Sequence, residues 1–273
     1  MRLGPHRRDE KAFALRELVV VLSVLGGLIL LHLPSQANSK AISRGFGCLS
    51  NQRQLVLAWL MYAEDHGGSV PFAYQSGGSL GWIGGWLDFL GNNPVNTNTQ
   101  FLLDPKYASM GPYARKAEIY RCPEDPSQVR IAGTVYPRVR SYSMNGAFSE
   151  TLGGWLPAPP YKVFRNVAEI VAPPPYKQFV FIDEHPDSIN DGMLAIQMAD
   201  PANPARIFII DYPASYHNGG AGLSFADGHA DFHRWTDPRT KPAFRNQLIP
   251  LNIASPGNQD MVWLSERTSA RAQ

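Results

Sequence analysis

Cysteine is scarce in this chain: Cys48 and Cys122 are the only two among 273 residues, and they form no CxxC pair. With no second pair to complete a zinc knuckle, thiol redox catalysis and a cysteine-rich metal site both fall low among the expected functions. Two cysteines so far apart are compatible with one disulfide closing a long loop in an oxidising compartment, and two buried thiols are the alternative. Charge is also sparse. Charged residues make up 18% of the chain and the formal net charge is +2, so nothing marks nucleic acid as a partner. Neither a phosphate-binding GxxxxGK nor a dinucleotide-binding GxGxxG occurs, HExxH and the EF-hand spacing are missing, and no serine sits in a nucleophile-elbow context. No internal repeat is visible.

What is abundant is glycine and proline, 24 and 23 residues. That composition suits a loop-rich, α+β extracytoplasmic domain better than a helical bundle. The clearest hydrophobic run is Leu18 to Leu33, LVVVLSVLGGLILLHL, in which only Ser23 and His32 are polar. Counted from Phe13 it reaches the ~20 residues that cross a hydrocarbon core, although it then carries Arg16 and Glu17. Ahead of it, residues 1–12 place Arg2, His6, Arg7, Arg8 and Lys11 against Asp9 and Glu10, a basic leader of the kind that stays cytoplasmic. The competing readings are a cleaved signal peptide, with Ser35-Gln36-Ala37 as the cleavage site, and a buried helix.

Pro34 interrupts the run, and helical periodicity then resumes through Ile42, Phe46, Leu49, Val56, Trp59, Leu60 and Ala63 until His66-Gly67-Gly68 stops it. The spacing predicts one long helix over 13–65 whose second half is amphipathic and packs on a sheet. The Gly- and Trp-rich stretch over 74–94 reads as irregular, with a short helix around Trp86 to Leu90. Its tryptophans suit local packing better than a glycan platform. Strands are predicted over Gln178–Asp183, Met193–Gln197, Arg206–Asp211 and Gly222–Trp235, the last as a hairpin with a two-residue turn at Asp227-Gly228. That turn puts Leu223, Phe225, Ala230 and Phe232 on a core face, and Ser224, Ala226, His229, Asp231 and His233 on a wet one. The expected sheet is antiparallel and covered on one side only.

The chemically richest cluster combines Asp183, Glu184, His185, Asp187 and Asp191 with His217, Asp227, His229, Asp231 and His233. Such groups bind a cation, activate water or hydrogen-bond loops. Structural hydrogen bonding is the leading expectation. The metal candidates are Asp183, Glu184, His217, Asp227 and His229, with calcium as a structural divalent cation and no other cofactor.

The start Ala12-Phe13-Ala14-Leu15-Arg16-Glu17-Leu18, followed by VVVLSVLGGLILL, resembles the type IV prepilin and type II secretion pseudopilin signal, with Ala12 where that pattern usually has Gly. Further on, CLSNQRQL from Cys48, YAEDHGG from Tyr62, YRCP from Tyr120 and SYSMN from Ser141 resemble the prepilin-like DUF1559 family. So does the spacing of His217, nine residues, then Asp227-Gly228. The resemblance spans about residues 12 to 235 and implies a pilin-like fold, with a long N-terminal helix whose C-terminal half packs on an antiparallel sheet. It implies a leader at 1–12, an assembly and membrane segment at 13–34, a globular domain at 35–235 and a C-terminal extension at 236–273. It further implies cleavage by a prepilin peptidase between Ala12 and Phe13, and Glu17 pairing with the methylated N-terminus of a neighbouring subunit. The implied protein is not an enzyme. It is a pilus or pseudopilus subunit whose partners are inner-membrane lipid, the peptidase and other pilin-like subunits. It is single-pass in the bacterial inner membrane with its domain outside the cytoplasm, or extracellular once assembled. The alternative is a membrane-tethered or secreted metal-dependent hydrolase or carbohydrate-binding protein.

Overall fold

A computed structural model describes residues 15–75, 78–149, 160–200 and 202–272, apart from the side chains of residues 26–43. The basic leader and the Ala12-Phe13 junction lie outside the described residues. The chain forms two compact units, Met1–Ser43 and Arg44–Gln273. Helix α1 (Leu15–Asp65) supplies the described part of the first unit and the opening turns of the second. In the first unit Leu18, Val19, Val20, Val21, Leu22, Val24 and Leu25 are all at least 43% exposed. Among the described residues no helix is long and apolar enough to cross a membrane.

In the second unit, α1 buries Cys48, Gln52, Leu55, Val56, Trp59 and Ala63. These positions recur every three or four residues and so share one face. Phe46, counted in the apolar stripe on sequence, is 67% exposed and lies off that face. The helix ends where expected. Gly67 and Gly68 take positive φ, and the Gly68 N–H returns to the Ala63 carbonyl at 2.7 Å.

Two short helices, α2 (Gln100–Leu103) and α3 (Gly111–Ala114), and an exposed hairpin of β1 (Gln128–Ile131) and β2 (Thr134–Pro137) follow. The principal sheet contains β3 (Tyr142–Asn145), β4 (Phe179–Asp183), β5 (Met193–Leu194), β7 (Gly220–Phe225) and β8 (Ala230–Arg234), in the order β5-β3-β4-β7-β8. Between β5 and β7 lies β6 (Phe208–Ile209), which pairs with β9 (Ile253–Ala254). Helix α4 (Gln259–Thr268) closes the chain. The molecule is therefore mixed α+β. Its sheet is antiparallel except where β5 joins β3 in parallel.

Two expectations about the sheet need correction. The hairpin of β7 and β8 opposes Ser224 to Ala230 and Leu223 to Asp231, not Phe225 to Ala230. The Phe225 N–H meets the His229 carbonyl, so the loop is the three residues Ala226, Asp227 and Gly228, with Gly228 at φ +92°. A three-residue loop that ends in a left-handed glycine is a standard hairpin connection, and a one-residue change of register exchanges the faces.

The sheet is also buried on both sides along β3, β4, β5 and β7, and only the edge strand β8 is largely exposed. Tyr142, Met144 and Phe181 join Trp59 of α1, Trp82 and Phe148 in one core, whereas Phe179, Ile182, Leu223 and Phe225 join Trp235, Met261 and Leu264 in a second. Residues 236–272 pack within the second unit. The amides of Asn145 and Gln178 donate to the Thr268 carbonyl at 3.1 and 2.7 Å, and buried Asp187 accepts from the backbone of Arg245 and Gln247.

The Trp-rich stretch packs locally. Trp82 is fully buried, stacks near Tyr120, meets Phe181 at a tilt, and donates to the Gly192 carbonyl at 2.8 Å. No helix forms at Trp86–Leu90; a 3-10 turn follows at Pro94–Asn96.

Candidate metal centre

Where α1 crosses the sheet, four side chains from four separate segments converge. Cys48 lies on the buried face of α1. Cys122 follows the 3-10 turn Ala117–Tyr120, with its own N–H held by the Ser141 hydroxyl at 3.0 Å. Asp183 ends β4 opposite Tyr142 of β3. His217 precedes β7 in a tight turn that Asn218 and Gly219 make with positive φ. One potential ligand atom from each of the four lies within 4.8 Å of all the others. Cys48 Sγ is 3.1 Å from Asp183 Oδ2, Cys122 Sγ is 3.3 Å from His217 Nε2, and His217 Nε2 is 3.2 Å from Asp183 Oδ2.

Gly222 of β7 makes the approach feasible. A Cβ there would lie 3.1 Å from Asp183 Oδ2 and 3.3 Å from Cys48 Sγ, in space the donors occupy. Cys48, Cys122 and Asp183 are fully buried or nearly so, and the His217 side chain is 5% exposed.

A second ring of contacts orients the four. The Tyr142 hydroxyl reaches Cys48 Sγ at 3.4 Å, and the Glu124 N–H reaches Cys122 Sγ at 3.4 Å. Asp183 accepts from the Tyr216 hydroxyl on Oδ1 and from the Gly222 N–H on Oδ2, at 3.1 and 2.9 Å. On the far edge of the imidazole, His217 Nδ1 lies 2.9 Å from Glu124 Oε2. That carboxylate holds a proton on Nδ1 and turns Nε2 toward the sulfurs.

Electrostatics within the cluster are strained. Burial, reinforced by Cys122 and Asp183, drives the Cys48 thiol well above its ordinary pKa. Burial also pushes Cys122 up, but hydrogen bonds with Cys48 and His217 outweigh it and leave that thiol below its ordinary value. For His217, burial favours the neutral ring, yet its bonds to Asp183 and Cys122 win and raise its pKa to about 10. Two sulfurs and a carboxylate thus gather around a position that favours positive charge.

The expected disulfide is not formed: Cys48 and Cys122 are neighbours in space but both are free. Of the five metal candidates, Asp183 and His217 meet, while the other three lie elsewhere. Glu184 is buried beneath the Ser143 and Ser188 hydroxyls, at 2.5 and 2.9 Å, and burial drives its pKa well up. Asp227 and His229 pair with each other at 2.5 Å in the exposed hairpin loop, where His229 stacks on Phe225.

The neighbouring acidic and imidazole groups serve structure. His185 Nε2 is 3.0 Å from the Pro242 carbonyl, and Asp191 receives the Met193 N–H. Asp231 is exposed on β8, and His233 stacks on Trp263 at 3.5 Å.

Sequence reasoning missed the cysteines as ligands because they share no short spacing. The available signal was polarity in the wrong place, with Cys48 and Gln52 both on the buried stripe of α1. Compared with protein-family models, curated proteins and solved structures, the chain matches none.

Proposed function

We propose that this chain is a non-catalytic, pilin- or pseudopilin-like subunit. Residues 13–34 lie in the inner membrane or the core of a filament, and the unit from Arg44 onward is displayed outside the cytoplasm. The observation that carries this reading is the nakedness of α1 between Leu18 and Leu25. Seven aliphatic side chains there, spread round the whole helix, are 43–61% exposed. A helix apolar on every side needs lipid or other helices around it. Below Arg44 the same helix changes character and buries one face against a sheet, a division of labour that suits a pilin-like architecture.

The partners of that segment are inner-membrane lipid, a prepilin peptidase acting between Ala12 and Phe13, and copies or relatives packed so that Glu17 meets a neighbour's N-terminal ammonium. In an apolar bundle such a charge pair compensates a carboxylate that is otherwise costly there. The non-catalytic reading is preferred to a metal-dependent hydrolase because the converging donors are buried. A hydrolytic metal needs an open position for water and substrate.

Intact-mass analysis of the chain from native membranes, with and without its peptidase, tests the proposal. The expected product begins at N-methylated Phe13 only when the peptidase is present, and Glu17→Ala leaves the chain in the membrane but blocks assembly. A start near Asn38, or an uncut chain in both samples, overturns it.

A further inference from the structure

Elsewhere in the molecule, buried charge has an evident structural use. Arg140 donates to the Tyr142, Asn190 and Asp191 carbonyls, Arg138 donates to the Pro186 carbonyl, and Asp260 anchors the chain at Thr236. The convergence of Cys48, Cys122, Asp183 and His217 has no comparable use, since it holds together groups that compete for protons in a dry place.

We propose that Cys48, Cys122, Asp183 and His217 are the four ligands of a structural zinc ion that ties α1 to the sheet. The donor set is two sulfurs, one imidazole nitrogen and one carboxylate oxygen. Zinc takes such mixed donors tetrahedrally, with Zn–S about 2.3 Å and Zn–N or Zn–O about 2.0 to 2.2 Å. In a tetrahedron those bonds place the ligand atoms roughly 3.3 to 3.8 Å apart. Two of the three closest separations, 3.1 and 3.2 Å, fall just below that range and the third, 3.3 Å, meets its lower edge, while all four atoms lie within 4.8 Å of one another, so shifts of up to about an ångström complete the site. Thiolate ligands argue against calcium and magnesium, which take oxygen donors, and two cysteines fall short of the four that hold an iron–sulfur cluster.

The surroundings carry the assignment further. A zinc-bound histidine characteristically passes its other N–H to a carboxylate, the role that Glu124 fills at 2.9 Å. Zinc binding displaces the two thiol protons and any proton on Nε2 to solvent, leaving two thiolates, a carboxylate and a neutral imidazole. These leave one net negative charge around Zn2+. The Tyr142 and Tyr216 hydroxyls and the Gly222 and Glu124 N–H groups all point toward that charge. A surface depression of about 390 Å³, lined by Arg44, Glu124, Asp125 and Tyr216, borders this shell and offers the ion an entry path.

Four protein donors fill a tetrahedral shell, so the ion is structural. Its ligands are spread from Cys48 to His217, with Cys48 and Asp183 alone 135 residues apart in sequence, and one ion therefore closes several long loops at once. The inference is independent of filament assembly and holds whether or not the leader is cleaved.

The test uses the full-length chain, purified in detergent without chelator. Elemental analysis is expected to find about one zinc per chain. Replacement by Co2+ is expected to give tetrahedral ligand-field bands with thiolate-to-cobalt charge transfer. His217→Ala and Cys48→Ser should lower zinc affinity by more than a hundredfold, and Glu124→Gln, acting through His217, by about ten- to a hundredfold. Because a ligand variant can fail to fold, the wild-type chain is also stripped with chelator. Its melting temperature should fall and recover on adding Zn2+ alone. A metal-free chain two hydrogens lighter, with Cys48 joined to Cys122, overturns the proposal. So does zinc that survives His217→Ala undiminished, or a melt that neither chelator nor Zn2+ shifts.

Discussion

Gln52 is the polar residue that fastens α1 to the sheet, and its replacement tests how the helix is held. Its side chain is fully buried one turn beyond Cys48. The amide nitrogen donates to the Gly222 carbonyl at 2.9 Å, and the amide oxygen accepts from the buried Ser224 hydroxyl at 3.1 Å. Gln52→Ala leaves both β7 groups without that partner where water has poor access, at about 1 to 3 kcal/mol each. It also empties the volume of four heavy atoms, which adds about 1 kcal/mol or more. The expected loss is about 3 to 7 kcal/mol, roughly two to five orders of magnitude in the folding equilibrium. Gln52→Met keeps the volume and loses only the hydrogen bonds, so its cost should be smaller by the cavity contribution, about 2 to 6 kcal/mol.

Urea unfolding followed by tryptophan fluorescence reads the difference, because all six tryptophans lie beyond Arg44. Metal content must be held constant across the series, since any ligand specific to the native state shifts the midpoint. A Gln52→Ala midpoint shift worth less than about 0.5 kcal/mol would refute the claim that this contact clamps the helix, for that is the scatter of ordinary surface substitutions.

Three other expectations follow from the packing. Gly220→Ala puts a Cβ 2.2 Å from the His233 carbonyl oxygen, so β8 must shift. A loss of about 1 to 3 kcal/mol and faster amide exchange in residues 230–234 are expected, and unchanged exchange there would count against the β7–β8 register. Asp260, nearly buried at the start of α4, accepts from the Thr236 N–H and hydroxyl and from the Asp237 N–H. Asp260→Ala should cost about 2 kcal/mol and expose the C-terminal segment to limited proteolysis; an unaltered cleavage pattern would mean that residues 236–273 are held by other contacts.

The third concerns pH. Burial raises the Asp211 carboxyl to about 7, against the pull of the Ala195 N–H, with Asp191 adding to the rise. Because the folded value lies above the unfolded value of about 3.9, the associated stability is complete below about pH 4 and is lost as pH climbs toward 7. Asp211→Asn should flatten that slope and gain stability at pH 8, by about 4 kcal/mol at the upper limit. Parallel wild-type and variant stability curves from pH 4 to 8 would exclude Asp211 as the source.

Much that depends on neighbours in the chain was legible. The Gly67-Gly68 stop, the strand at Phe179–Asp183 and the turn at Asp227-Gly228 each rest on local backbone preference. The sequence alone determined the buried stripe through Val56, Trp59 and Ala63, because 3.6 residues per turn leave little choice once one side must be apolar. The hairpin shows where that legibility stops. Asp-Gly marks a turn, but the loop holds three residues, and this single count decides which side chains face α1. The residues after Thr236 carry few periodic apolar positions, so their role emerged only when Met261 and Leu264 met Trp235 across the second core. The metal centre depended most on tertiary structure. No local rule links Cys48, Cys122, Asp183 and His217, whose side chains meet only after α1, the loop at Cys122, β4 and the turn before β7 have packed around the gap left by Gly222.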